Sequence, residues 1–540
     1  VLAGKNIVVS SNEVFGASVE GISAQANNST FAGNRISSSG IGFNFSGKGN
    51  SISGNDIRGC NLGLSARGSR KNVIKGNTIL RNQIAGIYLE DCTNNEIDGN
   101  EATKNGNGIL LKLGGANNIT SNILSSNSYG IALKGSPGND LRTNRMEKNS
   151  YNLQVEAGDL GDLRLLSSIS AGSKAFESFV QRIDRSNTAD GRQVLYLVGE
   201  KNAVIPKDCG YVGLIDCRNI SVGDQSISNS SAGILMVNPV ECRVDNCTLV
   251  NNGIGIYLLG AADCVLSNNV ASNSEIGFWI GRSSGVRLTS NKAELSKDSG
   301  FRLEGDRRVS LTRCIASSCN VGMSLQDSMV CEVVRSNVSD NKDRGMRLIR
   351  SHKTLIKENE ATRNAEGITL SGSDECIIAY NNVSMNQRNG ILVEQLSGGR
   401  IAGNTMMNNR EGIFLQSSDG LFIQGNEVRS NSRYGLRMSI SRGCNVTENV
   451  FSDNVLAGVG LTDCEGNRIY HNSFLDNGVG MAQNAVDNGK NEWDMGPTVG
   501  GNYWSDHPVF GNPGKDGRSI PSKGIDRYPF QDKDGWRKSQ

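Results

Sequence analysis

Aromatic residues make up only 5% of this 540-residue chain, and 8 prolines stand against 66 glycines. A chain so poor in Phe, Trp and Tyr cannot fill a thick globular core. A thin core repeated many times needs only small apolar side chains. Net charge is also missing: Lys+Arg number 56 and Asp+Glu 54. No basic excess marks nucleic acid or anionic lipid as a partner. No apolar run approaches the length of about 18 residues that a membrane-spanning helix requires. No charged-then-apolar leader opens the chain, which begins "VLAGKNIVVSS" already inside a repeat, so a cytosolic or a processed protein is expected. There is no CxxC pair, which argues against a zinc ribbon or a thioredoxin-like site.

What the chain has instead is a skeleton that returns every 20 to 24 residues. A Gly is followed by an apolar–x–apolar triplet, then a polar corner, a second apolar pair, an Asn and a polar end. It reads "GIYL" at Gly86, "GILL" at Gly108, "GIYL" at Gly255, "GFWI" at Gly277, "GILV" at Gly390, "GIFL" at Gly412 and "GLRM" at Gly435. Periods in this range are those of stacked repeats. The apolar runs are short and alternate with period 2, which is a strand pattern rather than a helix pattern. Two or three such strands are unstable alone. A coil of three, each pairing in parallel with its copy one rung above, is stable as a stack. Asn at the corners fits because it tolerates left-handed backbone angles, and stacked Asn side chains can hydrogen-bond from rung to rung.

These features predict an all-β chain, a right-handed parallel β-helix solenoid of about 18 coils. At a rung spacing of about 4.8 Å it would be a rod of roughly 85 Å. The coils are expected over residues 1–158 and 211–490. Residues 159–210 lack the skeleton and read as an insertion, with "QVLYLVGEK" as a strand. Residues 491–540 hold three of the four Trp and most of the Pro, and read as an irregular cap over the last coil.

The 13 cysteines recur at set repeat positions, where Cys serves as a compact inward hydrophobe. Cys242 and Cys264 fall on adjacent rungs, within disulfide reach, and Cys209 with Cys217 is the other candidate pair. Asn-x-Ser/Thr acceptors stand at Asn28, Asn44, Asn118, Asn219, Asn229, Asn246, Asn337, Asn382 and Asn445. They suit a glycosylated, exported protein, although a chain rich in Asn, Ser and Thr also makes them by chance.

The repeats, the segment "GYVGLIDCRNISV" and the terminal "GNYWSDH…IDRYPF" resemble NosD-like proteins. These are exported right-handed β-helix proteins with carbohydrate-binding/sugar-hydrolase-type repeats, common on archaeal surfaces. The resemblance implies an envelope, cell-surface or extracellular location, and its best-known member implies copper delivery. Copper sites gather His, Met and Cys, whereas His352, His471 and His507 are far apart in this sequence. The resemblance also implies a calcium loop after "NYWSD". Here "NPGKDGRSI" keeps Asn512 and Asp516 but few carboxylates, and calcium takes about 6–8 oxygens. A turn in the cap, with no metal or other cofactor, is the expectation, and calcium near Asn512 and Asp516 the alternative.

In the triplet the two apolar residues point inward and x points out. Read up the coils, x gives Tyr88, Leu110, Leu235, Tyr257, Trp279, Arg302, Arg347, Leu392, Phe414 and Arg437. An exposed stripe of aromatic and apolar residues marks a contact surface, and Arg beside it suits carboxylated sugars or a protein partner. The competing expectation is that the insertion or the tail covers the stripe. The "DPHE", "GHG" and "RIK" marks of β-helix epimerases and polygalacturonases are absent, and no residue stands out as catalytic. The sequence therefore points to a non-enzymatic, exported cell-surface protein. It would be a structural component of a surface layer, sheath or filament, glycan-binding, or both, and its partner would be a further copy of itself or an envelope glycan or protein. The alternative is a lyase or epimerase-type enzyme acting on acidic polysaccharides.

Overall fold

A computed structural model describes residues 1–158, 169–478 and 483–539. The protein is an all-β parallel solenoid of about 22 turns with almost no helix. The turns exceed the expected 18 because several rungs, such as Arg192–Val198, Tyr211–Ile215 and Ala485–Asp487, form without the Gly–apolar–x–apolar skeleton. The chain divides into two compact units. One comprises Val1–Val265 with Asn269–Gly281, the other Leu266–Asn268 with Arg282–Gln540.

In the first unit, from Ile41 to Glu156, each coil contributes one six-residue strand and two three-residue strands, stacked in register on their copies. Leu64, Ile87, Ile109, Ile131 and Leu153 align on the long strands. Ile52, Ile74, Ile97, Ile119 and Leu141 align on the second, and Ile57, Ile79, Ala102, Leu124 and Met146 on the third. All are buried, and each fully buried Ile or Leu contributes roughly 1.5–3 kcal/mol. Small residues suffice because each rung needs only two apolar side chains from its long strand and one from each short strand.

The skeleton glycine has a packing reason rather than a torsional one. A Cβ on Gly86 would lie 2.9 Å from the carbonyl oxygen of Gly108 and 3.1 Å from the Asn105 amide nitrogen. Corner asparagines do take left-handed angles, as at Asn94, Asn246 and Asn268. In the ladders the left-handed residue is the one before the Asn: Lys71, Gly76 and Arg81 have φ of 55°, 62° and 56°, and Asn72, Asn77 and Asn82 follow them. The Asn is freed to point inward. Asn100 Oδ1 accepts from the Asn77 backbone N–H (3.0 Å) and from Asn77 Nδ2 (2.9 Å). Asn100 Nδ2 in turn donates to the Ile74 carbonyl (2.9 Å) and to Asn122 Oδ1 (3.0 Å). Such ladders satisfy the polar backbone at buried corners, where an unpaired group is costly.

The described part of segment 159–210 is woven into the stack. Arg182–Ile183 pairs in parallel with Asp140–Arg142 and Thr188–Ala189 with Arg145–Glu147. Arg192–Val198, the strand expected there, runs antiparallel to Thr188–Ala189 and parallel to Tyr211–Ile215. Residues 159–168, the start of that segment, lie outside the described residues.

The second unit repeats the design. Met346, Ile368, Ile391, Ile413, Leu436 and Val459 align on its long strands. Its cap begins by prolonging a ladder, as Tyr503–Trp504 pairs in parallel with Ser473–Leu475. It then turns on the buried carboxylate of Asp526, which accepts from Trp504 Nε1 (2.8 Å), the Asn502 N–H (2.7 Å) and the Tyr528 N–H (3.2 Å). Trp504 stacks on Phe474 at 4.2 Å. The terminal motif is thus a structural closure.

Candidate functional site

The outward ladder of the long strands is the face on which the sequence places a stripe, and the structure aligns its members in register within each unit. In the first unit Leu235, Tyr257 and Trp279 follow one another, and the Tyr257 and Trp279 rings stack at 4.9 Å. Tyr88 and Leu110 are likewise neighbours, and both are half-buried. Leu235 departs from the stripe and meets the competing expectation of a covering insertion. It is 1% exposed and belongs to a buried cluster with Ile169, Phe176, Phe179 and Tyr196. The Tyr196 ring lies over Gly213, one rung before Leu235, and its hydroxyl donates to the Phe179 carbonyl at 2.5 Å. The segment covers the stripe at this end, and Leu235 is core.

In the second unit the ladder is charged. Leu392, Phe414 and Arg437 align on consecutive rungs, and the Arg437 guanidinium lies over the Phe414 ring, 4.8 Å from its centroid. Each long strand here is entered through an Arg. The Arg410 N–H donates to the Arg388 carbonyl (2.7 Å) and the Arg433 N–H to the Arg410 carbonyl (2.8 Å), so Arg388, Arg410 and Arg433 rise as a column beside the stripe. Together with Arg437, Phe414 and Glu411 they line a cavity of about 130 Å³.

The acids of this face are held inside it. Glu411 and Glu366 are 3% and 4% exposed. Glu411 accepts the Tyr434 N–H (3.2 Å) and lies 3.4 Å from Arg433 and 3.9 Å from Arg437. Glu366 accepts the Asn389 N–H (3.0 Å) and pairs with Arg388 at 2.9 Å. Burial pushes both carboxyls above their usual range, against the pull of the backbone donors and the arginines. Arg410 has no ion-pair partner among the described residues. Lower on the ladder Arg302 pairs with Asp298 (3.5 Å) and Glu304 (3.2 Å). Arg347 loses basicity to burial and to neighbouring Arg344. The cavity is lined by four guanidinium groups and one carboxylate beside an aromatic face, and Arg388 is also paired with Glu366 and with Asp343 (3.3 Å). Such an array takes planar oxyanions bidentately.

Arg388, Arg410 and Arg433 are not among the residues singled out from the sequence. The signal was present: Arg stands two places before the skeleton Gly in "RNG", "REG" and "RYG". It becomes visible only when the rungs are registered.

The remaining candidates are dispersed. The 13 cysteines are buried free thiols. Cys242 and Cys264 occupy adjacent rungs as free thiols, with their sulfurs directed to the carbonyls of Val240 (3.4 Å) and Ala262 (3.4 Å). Cys209 faces the Pro206 carbonyl (3.3 Å) and Cys217 that of Ile215 (3.4 Å), so that pair does not meet. None of the nine glycosylation acceptors is buried. Asn512 is paired with Asp532, donating to its carboxylate (2.9 Å) and accepting its N–H (2.9 Å), while the Asp516 carbonyl is bonded to His507 (3.0 Å). The two do not form an oxygen cage for calcium.

Comparison with known proteins places this architecture. The family model described as "Periplasmic copper-binding protein (NosD)" matches residues 2–164 and 328–508, and the right-handed beta helix region model matches residues 232–383. Among solved structures, the periplasmic alginate epimerase AlgG is similar at 17% identity over 52% of this chain and 78% of its own, with a TM-score of 0.34. The Azotobacter vinelandii mannuronan C-5 epimerase AlgE6 A-module is 13% identical over 78% and 90%, with a TM-score of 0.24. The Dettilon tailspike protein is 15% identical over 48% and 62%, with a TM-score of 0.35. At these identities and scores they say nothing of what this chain does. No curated protein matches the chain.

The copper of the family description does not fit the donors present. Among the described residues no three His, Cys, Asp or Glu side chains gather to hold a metal. His352 Nδ1 accepts the Asp374 N–H at 3.1 Å. His471 is stacked on Trp536 and bonded to the Val499 carbonyl, and His507 is in the cap. The family match nonetheless covers more than half of the residues, and the fold agrees with it: the chain belongs to the NosD family of right-handed parallel β-helix proteins.

Proposed function

We propose that this chain is a non-enzymatic, exported β-helix protein that binds an acidic glycan of the cell envelope along the long-strand face of its second unit. The observation that carries the reading is the column Arg388, Arg410 and Arg433 with Arg437 over Phe414. Like charges one rung apart, about 4.8 Å, repel unless an anion joins them. Glu411 serves Arg433 and Arg437, and Glu366 and Asp343 serve Arg388, which leaves Arg410 without an ion-pair partner among the described residues. A polymer with a carboxylate on each sugar supplies anions at regular spacing and a C–H face for Phe414. The periplasmic description of the family supports export, and unburied glycosylation acceptors suit it. The partner on this reading is a glycan rather than a further copy of the chain.

The test is equilibrium binding of polygalacturonate and alginate to the whole chain and to the Arg410→Ala/Arg433→Ala variant. Loss of at least tenfold in affinity in the variant, with an unchanged melting temperature, is expected. Equal binding by both would overturn the reading.

A second reading, a lyase or epimerase-type enzyme on the same polymer, is favoured by Glu411. It is a buried carboxyl pushed above its usual range beside two guanidiniums, as a general acid requires. Unsaturated ends or altered epimers after incubation with either polymer would establish it, and unchanged polymer would exclude it.

A further inference from the structure

Away from the arginine face, the second unit has a groove at the corner between its second and third strand ladders. Over three successive coils the third strand is replaced by single bridges at Asn337, Glu360 and Asn382. The coils before and after keep ordinary strands, Ile315–Ser317 and Thr405–Met407. The chain is drawn inward over these rungs, where Ser339, Thr362 and Ser384 are buried and Thr362 donates to Ser339 at 3.0 Å. The result is a depression of about 500 Å³, three rungs long.

Its wall carries an aromatic ring. Tyr380 occupies the left-handed corner position, with φ of 57°, as Arg335 and Glu358 do on the two rungs before it and Gly403 and Gly425 on the two after. Its side chain is not drawn into the core, since Tyr380 is 63% exposed. One side of the ring rests on Gly403, where an added Cβ would meet ring carbons at 2.7 and 2.8 Å. Gly403 therefore keeps a flat seat for the ring, and the rest of the ring faces outward.

The polar groups around it are nearly balanced in charge. Glu358 is paired with Arg335 (2.6 Å) and Lys357 (3.1 Å), and Lys357 also lies 5.8 Å from the Tyr380 ring centre. Glu360 Oε2 accepts from Asn337 Nδ2 (3.2 Å) and Asn382 Oδ1 from Ser384 Oγ (2.7 Å). Glu360 Oε1 and Asn382 Nδ2 have no partner among the described residues, which leaves one acceptor and one donor beside the ring. We infer that this groove is a saccharide site, with a neutral sugar ring stacked on Tyr380 and its hydroxyls bonded to Glu360 and Asn382. The polarised C–H face of a pyranose meets the negative face of the phenol, and paired donors and acceptors suit hydroxyls rather than a carboxylate. Asn337 and Asn382 are also glycosylation acceptors, so the sugar has two sources, a free oligosaccharide or the chain's own glycan.

The experiment uses the whole chain made in a host without N-glycosylation, titrated calorimetrically with cellohexaose, maltohexaose, laminarihexaose and chitohexaose. At least one is expected to bind, with Tyr380→Ala and Asn382→Ala each weakening it tenfold or more and Arg410→Ala leaving it unchanged. Protein from a glycosylating host that carries a glycan on Asn382 and fails to bind would identify the chain's own glycan as the occupant. No binding by any of the four in the unglycosylated chain, or equal binding by Tyr380→Ala, would overturn the inference. Because Arg410 is outside the groove, failure here leaves the acidic-glycan reading intact, and the converse.

Discussion

Arg437 and Phe414 stand on adjacent rungs of one outward ladder, with the guanidinium 4.8 Å from the ring centre. The contact stacks the guanidinium over the ring along the ladder, so that ring and cation form one unit. Removing the ring should cost ligand affinity without costing the fold. Phe414→Ala is expected to weaken polygalacturonate binding by about 0.5–2 kcal/mol, the scale of a stacked ring or cation–π contact, with a melting temperature close to the parent's. Calorimetric titration with a parallel thermal scan checks both halves.

The same ladder predicts the opposite behaviour at its other end. Leu235 is core under Tyr196 and Phe179, so Leu235→Ala should destabilise the chain by about 2–5 kcal/mol, read by denaturant unfolding. Trp279→Ser, at a half-buried position, should cost less than Leu235→Ala does. Equal costs would mean that the stripe is covered along its whole length in the first unit.

The Asn ladders predict a cost out of proportion to the size of the change. Asn100→Ala removes the acceptor of the buried Asn77 N–H and amide together, and an unpaired buried donor costs about 1–3 kcal/mol. Denaturant unfolding should show this loss. Substitution of an exposed corner residue such as Lys104→Ala should stay within about 0.5 kcal/mol.

Asp306 predicts a pH dependence. It sits in a ladder whose neighbours are Ser283 and Ser328, accepts the Ser283 N–H (2.7 Å) and the Glu304 N–H (2.9 Å), and is 2% exposed. Burial pushes its carboxyl up to about 8, above the value of about 4 in an unfolded chain. Between those values the folded state binds the extra proton, so this group's contribution to stability is full below about pH 4 and is lost as pH rises through about 8. Asp306→Ser, which restores the ladder residue, should raise the melting temperature at pH 8 and change it little at pH 4. A gain independent of pH would contradict the assignment.

The coil was legible in the sequence because each rung repeats one local instruction: Gly where rungs approach closely, Ile or Leu inward, Asn at the corner. Asn has two roles that the repeat does not separate by residue type: Asn268 makes the left-handed turn, while Asn269 after it serves the ladder. Coverage of the stripe by the insertion was legible only as an alternative, and not at which rung, because the cover over Leu235 comes from residues 169–196, which carry no repeat. The arginine column was hidden for a different reason. Arg388, Arg410 and Arg433 are 22 and 23 residues apart, and only the register of the stack brings them side by side.

The most direct test of the acidic-glycan account is a comparison of two polymers that differ only in charge: polygalacturonate and its fully methyl-esterified form, titrated into the whole chain at two ionic strengths. The account predicts binding of the free acid, weakened by salt as exposed ion pairs are, and little or none of the ester. Equal affinity for the two polymers would contradict it, because the arginine column would then have no part in recognition.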